Sequence, residues 1–399
     1  MDKQTQNLIL KRGVVEIIVQ AEFEKLLESG RTLRVKMGFD PSAPDLTLGH
    51  AVGLRKLRQL QEIGHQVIII VGDWTARIGD PSGRSTTRPM LTSDQVQQNA
   101  ETYLSQLFKI VERSKTEVRM QTDWFGPFNL DDVVKLTSKF TVAQLLARED
   151  FAKRFTENHP ISLTELLYPL LQAYDSIAIQ ADVELGGTDQ KFNLLVGREL
   201  QQAMGYKPQQ CIIMPLLVGT DGTQKMSKSL NNYIAIEDIP TDMYGKTMSL
   251  PDSSIIPYFE TLTDVPNKEI YEMSQSINQE NGNPMEFKKR LAWELVRQFY
   301  DHQTAINAEV HFESTVQRGE IPEQISSFKL KSASNKKLAS VLVEAKLATS
   351  HSEAKRLITQ NGVSVNGNPV SDNILAENLS NGDILRAGRR RIIRIERPE

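Results

Sequence analysis

The sequence predicts an α/β protein: a parallel-sheet domain, then a helical domain, then a small α+β domain. Two observations carry this reading. Short apolar runs bounded by turn residues alternate with longer segments of helical periodicity. Beyond residue 235 that alternation gives way to helices with polar faces. At 399 residues the chain has room for two or three domains and a sizeable core.

Leu33 to Phe39 reads as a strand, and a helix follows from Thr47 to about Ile63, with Leu54, Leu57 and Leu60 at helical spacing. Next comes HQVIIIVGD, a continuous apolar run suited to a strand buried on both faces. Strand, helix and buried strand make a βαβ unit with a right-handed crossover, hence a parallel sheet. The stretch 84–165 reads as a largely helical insertion, in which Thr92 and Gln95 have capping-box spacing. The theme then repeats: ADVELGG as a strand, Thr188 as cap of a helix to about Gln202, and CIIMPLLVG as another buried strand. These elements place the first domain at 1–235. Helices over 236–317 form the second, 318–335 reads as a linker, and 336–399 forms the third. In the third, Ser350 and Glu353 have capping-box spacing, and VSVNGNPV reads as a hairpin with an Asn-Gly turn.

Composition excludes several classes. Cys211 is the only cysteine, which rules out an intrachain disulfide or a cysteine-rich zinc site and fits a reducing compartment. The N-terminus is too polar for a signal peptide, and no apolar run approaches about 18 residues. The expected location is therefore the cytoplasm, with no membrane partner. Charge is uneven. Residues 336–399 carry eleven Lys and Arg against seven Asp and Glu, a net of +4 in a chain of net −3. A basic end on an acidic body suggests a nucleic-acid contact.

Two motifs carry chemistry. In PDLTLGH, residues 44–50, Gly49 and His50 open a helix directly after a strand. In an open parallel sheet this is where ligands bind, and the helix end offers free N–H groups and positive dipole to an anion. Glycine allows close approach, His50 is placed to donate, and Asp40, Ser42 and Asp45 crowd the same loop. A plain strand-to-helix turn is the alternative. In KMSKS, residues 225–229, two lysines and two serines follow a buried strand and the flexible TDG. Mobile ammonium groups there suit a polyphosphate whose charge is changing, whereas elsewhere such a pentapeptide is a solvated turn.

Together TLGH and KMSKS resemble the signature pair of class I aminoacyl-tRNA synthetases. GFDPSAPDLTLGH, IGDPSGR, YPLLQAYD, GGTDQ and KMSKS occur in the order seen in bacterial tyrosyl-tRNA synthetases, and SHSEAKRLITQNGVSVNG resembles an S4-type RNA-binding domain. The resemblance implies a Rossmann-like catalytic domain, a helical domain serving the tRNA anticodon region, and an S4-like end. It also implies a two-step reaction: the tyrosine carboxylate attacks the α-phosphate of ATP, and the tRNA 3′ end then takes the tyrosyl group. ATP is a substrate accompanied by Mg2+, with no protein-bound metal. The implied partners are L-tyrosine, ATP and tRNA(Tyr), and the implied assembly is a homodimer.

Residue by residue, the resemblance places Gly38, Asp40, Gly49, His50, Gly187 and Asp189 at ATP, with Asp189 near the ribose. Ser42, Thr47, Lys225 and Lys228 face the departing phosphates, with Arg84 and Arg88 on a mobile loop. Asp80, Tyr168 and Gln172 hold the tyrosine ammonium, Asp175 accepts from the phenol, and Gln190 lines the pocket. Tyr168, Gln172 and Asp175 stand at i, i+4 and i+7, so one helix face presents all three.

Three positions depart from the family pattern. Thr47 replaces the first signature histidine, Ser42 replaces a common threonine, and Lys36 stands where many members have a tyrosine facing the substrate hydroxyl. An ammonium at 36 either donates to the phenolic oxygen while pairing with Asp175, or points to solvent. His65 reads as structural and Trp74 as pocket lining or packing. GRRRIIRIER reads as a solvated strand edge, or as tRNA contact within an S4-like domain. Tryptophanyl-tRNA synthetase, a related nucleotidyltransferase and a non-catalytic RNA-binding relative remain the alternatives. Asp175 and the S4-like end favour tyrosine, and both lysines of KMSKS favour catalysis.

Overall fold

The computed structural model describes residues 3–42, 44–82, 91–279, 282–318, 326–330, 336–371, 373–388 and 391–397. They fall into two compact units, 1–301 and 302–399. The boundary lies inside the stretch 236–317 that reads as one helical domain in the sequence.

The first unit is organised by a six-stranded sheet: β1 (Glu16–Ile18), β2 (Arg34–Phe39), β3 (Gln66–Val71), β4 (Thr116–Met120), β5 (Val183–Gly187) and β6 (Gln210–Met214). Their order is β1-β6-β5-β2-β3-β4, with all neighbours parallel except the antiparallel β1–β6 edge. The chain winds outward from β2 in one direction and from β5 in the other. The boundary between β2 and β5 is therefore the point where strand order reverses, the place where such sheets open a crevice. β3 is buried along Val67–Val71, as its apolar run requires.

The first crossover helix, Leu48–Glu62, begins with Thr47 as its N-cap. At its middle the Lys56 ammonium is buried and takes the carbonyls of Leu8, Ile9 and Arg12, which ties down the N-terminal helix Lys3–Leu10. Arg55 and Arg58 reach Asp264, fastening the same helix to the helical part of the unit. The capping box at Thr92 and Gln95 is present.

Among the described residues 84–165 is largely helical, as read, with Thr116–Met120 added as β4 at the sheet edge. TEVRM is half-exposed throughout, so it lacks the apolar run that betrays a buried strand. Thr188 does not cap a helix directly; Thr188–Gln190 is a 3-10 turn and the helix Lys191–Ala203 follows. In the second unit β7 (Ser327–Lys329), β8 (Val363–Val365), β9 (Asn368–Pro369), β10 (Ile384–Ala387) and β11 (Arg391–Glu396) lie in the order β7-β11-β10-β8-β9. So β11, the strand of the GRRRIIRIER run, is interior to the sheet and not its edge. Part of the stretch read as a linker supplies its parallel neighbour β7. Ile395 is fully buried while Arg394 on the opposite face is exposed, the period-2 pattern of a half-covered sheet. Asn366 and Gly367 both have positive φ, 52° and 83°, as a type I′ hairpin turn requires.

Among the described residues no helix is long and apolar enough to cross a membrane.

Candidate active site

A cleft of about 610 Å³ opens where the strand order reverses, at the carboxyl ends of β2 and β5. It is lined by Gly38, Asp40, Ser42, Thr47, Gly49, His50, Asp80, Tyr168, Gln172, Asp175, Gly187, Asp189, Gln190, Lys225 and Lys228. Arg84 and Arg88 lie outside the described residues. A Cβ at Gly38 meets nothing within 4 Å, so this strand end leaves room for a ligand against the backbone.

One end of the cleft gathers donors and cations: the start of the helix Leu48–Glu62, His50, Lys225 and Lys228. The Thr47 backbone N–H donates to His50 Nδ1 at 3.1 Å, and Thr47 Oγ1 lies 2.9 Å from the same nitrogen. A backbone amide can only donate, so Nδ1 is an acceptor and the neutral ring carries its proton on Nε2. Burial lowers the His50 pKa to about 4, and the nearby Lys228 charge acts in the same direction. His50 is thus a neutral donor at physiological pH. The loop of residues 219–232 stands opposite. Asn232 Oδ1 accepts from Ser227 N–H, and its amide donates to Asp221 Oδ2, both at 2.7 Å. Lys225 pairs with Asp189 at 2.8 Å. Lys228 lies 5.1 Å from the Tyr103 ring centroid, and burial lowers its pKa to about 8.

The other end gathers Asp80, Tyr168, Gln172, Asp175 and Gln190. Tyr168, Gln172 and Asp175 do share one face of the helix Leu163–Ala178. Asp175 is buried, and its carboxylate accepts from Gln121 Nε2 at 2.9 and 3.1 Å and from Trp124 Nε1 at 3.2 Å. Burial nevertheless pushes its pKa up to about 7, with the Lys36 charge opposing. Asp80 accepts from Gln190 Nε2 at 2.6 Å. Behind it, Arg148 donates to Ser82 Oγ at 2.7 Å and Asn193 Oδ1 at 3.1 Å. The two ends meet at Asp40, which accepts from Tyr168 Oη at 2.8 Å and from Thr75 Oγ1 at 2.7 Å. Gly72 makes this possible, because a Cβ there would lie 2.2 Å from Asp40 Oδ1.

Lys36 behaves as neither sequence alternative. It is 1% exposed, so it does not point to solvent, and its ion pair at 3.1 Å is with Glu184, not Asp175. Lys36 and Glu184 are register partners on β2 and β5. His65 does serve structure, accepting from the Leu33 backbone at 3.4 Å. Trp74 packs on Phe125 and donates to Thr122 Oγ1 at 3.2 Å.

The model of the class I tRNA synthetases that act with W and Y matches residues 28–317, and that of the tyrosine–tRNA ligase SYY-like C-terminal domain matches 318–391. A tyrosine–tRNA ligase of Dehalococcoides mccartyi strain CBDB1 is 57% identical over 383 residues, 96% of each chain. The chain belongs to the tyrosyl-tRNA synthetases. Another member, from Thermotoga maritima, is 49% identical across 99% of this synthetase and 98% of its own length. The same fold appears in the crystal structure of a C-terminally truncated mitochondrial tyrosyl-tRNA synthetase from Aspergillus nidulans. The TM-score is 0.65 at 19% identity, over 78% of this chain and 94% of that one.

Sequence reasoning missed the synthetase's Gln121, Trp124, Glu184, Arg148 and Tyr103. Gln121 and Trp124 follow β4 directly, so recognising that edge strand would have pointed to them. Glu184 stood in plain view as an acid between Val183 and Leu185 in the buried part of ADVELGG.

Proposed function

We propose that this synthetase activates L-tyrosine and then charges tRNA(Tyr) in the single cleft described above. One observation carries the reading: the Asp175 end and the lysine-flanked helix end are joined through the Tyr168–Asp40 hydrogen bond. In the first step a tyrosine carboxylate oxygen bonds to the α-phosphorus of ATP, and the bond to the bridging oxygen breaks, releasing pyrophosphate. In the second, a ribose hydroxyl of the terminal tRNA adenosine attacks the tyrosyl carbonyl and AMP leaves. The protein's part is positioning and charge stabilisation.

Asp80, Tyr168 and Gln172 take the ammonium, Asp175 accepts the phenolic hydroxyl, and Gln190 steadies Asp80. Gly38, Asp40, Gly49, His50, Gly187 and Asp189 take the nucleotide. Ser42, Thr47, Lys225 and Lys228, with Arg84 and Arg88, meet the phosphates. Mg2+ arrives with ATP. The catalytic chemistry belongs to residues 1–235, residues 236–317 serve the anticodon region of the tRNA, and the basic end 336–399 adds an RNA contact. A second copy of the chain covers Leu130, Val134, Val142, Phe155 and Leu163, which are exposed apolar side chains on neighbouring helices of 130–178. The enzyme works in the cytoplasm.

ATP–pyrophosphate exchange measured with each of the twenty amino acids tests the reading. Exchange with tyrosine alone supports it; exchange with tryptophan, or with none, overturns it.

A further inference from the structure

The ion pair between Lys36 and Glu184 lies beneath the cleft, with both side chains 1% exposed. Burying two charges is costly and is offset only when their remaining hydrogen-bonding capacity is met. Here one residue serves both charges. Lys36 Nζ donates to the main-chain carbonyl of Gln172 at 3.3 Å, while Glu184 Oε1 accepts from Gln172 Nε2 at 3.1 Å. Gln172 is therefore held at its backbone by the cation and at its side chain by the anion of the same pair. Glu184 Oε2 is occupied from the other side by Ser176 Oγ and Gln209 Nε2.

The chemistry of the amide makes this grip directional. A side-chain amide has a donating end and an accepting end, and nothing intrinsic decides which faces a ligand. An ionised carboxylate can only accept, so it requires the NH₂ end of Gln172 and leaves the oxygen for the cleft, which Gln172 lines. An ammonium needs an acceptor there. Had Glu184 been a glutamine, its oxygen would accept from Ser176 and Gln209 and its NH₂ would face Gln172, whose amide would then turn its N–H groups toward the cation.

We propose that Lys36 and Glu184 are a positioning pair for amino-group recognition: they fix the amide of Gln172 with its oxygen toward the substrate ammonium and do not touch the substrate. The proposal rests on the assignment of Gln172 to the tyrosine ammonium made above. Lys36 is the charge partner of Glu184, and the register of β2 with β5 brings the two together directly below the helix that carries Gln172.

The test compares two ligands differing only in the group at issue: L-tyrosine, and 3-(4-hydroxyphenyl)propanoate, which lacks the ammonium. In wild type, tyrosine KM and the inhibition constant of the propanoate are measured in ATP–pyrophosphate exchange. Glu184→Gln is expected to raise tyrosine KM about tenfold, the size of one ordinary hydrogen bond, with kcat and the KM for ATP within about twofold. Propanoate inhibition should be unchanged. Lys36→Met/Glu184→Gln removes both charges, avoids leaving a lone buried cation, and should give the same selective loss; thermal melting confirms which variants fold. Parallel weakening of both ligands, or an unchanged tyrosine KM in whichever variant folds, overturns the proposal. Failure of wild type to activate tyrosine would instead overturn the functional reading beneath it.

Discussion

The backbone N–H of Thr47 donates to Nδ1 of His50 across 3.1 Å, closing the first turn of the helix Leu48–Glu62. In most capping boxes a Glu or Gln three residues inside the helix returns to the cap amide; here a histidine ring does so. The bond sets the tautomer. It makes His50 a donor through Nε2, and burial keeps the ring neutral down to about pH 4. Lys225 and Lys228 line the same cleft as this helix end.

His50→Ala should therefore lower the rate of adenylate formation roughly 10²–10³-fold, the range for one lost transition-state donor, with little change in tyrosine affinity. Between pH 6 and 8 the wild-type rate should show no titration of this histidine. Stability should. The unfolded ring binds a proton near its ordinary pKa of 6.5 and the folded ring only near 4, so the unfolded state holds more protons in that window. The folded state accordingly loses stability as pH falls from about 6.5 to about 4, and His50→Ala should flatten that part of the profile. Ring nitrogen NMR shifts of anything but the Nε2–H form at pH 7 would contradict the assignment.

Asp175 gives the opposite slope. Its carboxyl is pushed up to about 7 from an ordinary 3.8, chiefly by burial. The folded state holds the extra proton between those values, so this group's contribution to stability falls as pH rises and levels off above about 7. Recognition moves the other way, because only the ionised carboxylate is restricted to accepting from the phenol. The ratio of kcat/KM for tyrosine over phenylalanine should fall as pH drops through 7. Asp175→Asn should remove the pH dependence and lower the ratio, by about 1–3 kcal/mol for a badly paired buried group. A ratio constant from pH 6 to 8 in wild type would exclude a titrating Asp175.

How much of this was legible beforehand depended on whether a feature is local. Apolar periodicity marked β2, β3, β5 and the crossover helix, because each is buried along its own length. The face shared by Tyr168, Gln172 and Asp175 followed from helical spacing alone. β4 was hidden because an edge strand with one solvated face carries few apolar residues, and with it went Gln121 and Trp124, the donors that hold Asp175 from 54 and 51 residues away. Lys36 was noticed as unusual, but its partner follows from the alignment of two strands almost 150 residues apart in the chain, which no local pattern records. The strand-edge reading of GRRRIIRIER fails for the same reason: which strands flank it is a property of the sheet, not of the decapeptide.

Lys225 and Lys228 differ in their surroundings, and the difference is measurable. Lys225 is partly exposed and paired with Asp189, the residue assigned to the ribose. Lys228 lies against Tyr103 with its pKa lowered to about 8 by burial. Alanine at either position should cut the activation rate roughly 10- to 1000-fold with tyrosine affinity intact. Only Lys228 should impose a pH limit: in the free enzyme kcat/KM for ATP should fall as pH rises through about 8. That limb should vanish in Lys228→Arg, whose guanidinium stays protonated, and persist in Lys225→Arg. A limb surviving in Lys228→Arg would assign it to another group.

Removing the basic end tests whether RNA contact is separate from activation. Residues 336–399 carry the net +4 charge, and the second compact unit has its own core, formed around Leu338, Leu342, Ala354, Val363, Leu385 and Ile395. β11 is enclosed between β10 and β7, so its buried isoleucines serve that core while Arg394 on the exposed face remains available to phosphate. Arg391 is different, since it donates to Glu353 at 3.0 Å. Truncation after Arg318 removes the whole sheet, including β7, and leaves no orphaned strand. Such a chain should retain tyrosine-dependent ATP–pyrophosphate exchange and lose most aminoacylation of tRNA(Tyr). In the full chain tRNA affinity should decline as salt rises, because each phosphate contact releases bound counterions. Arg394→Gln should lower affinity and make the salt dependence shallower by about one contact, whereas Arg391→Gln should mainly lower the melting temperature by freeing Glu353. Full charging by the truncated chain, or a salt slope that Arg394→Gln leaves unaltered, would show that this face of the sheet does not meet tRNA.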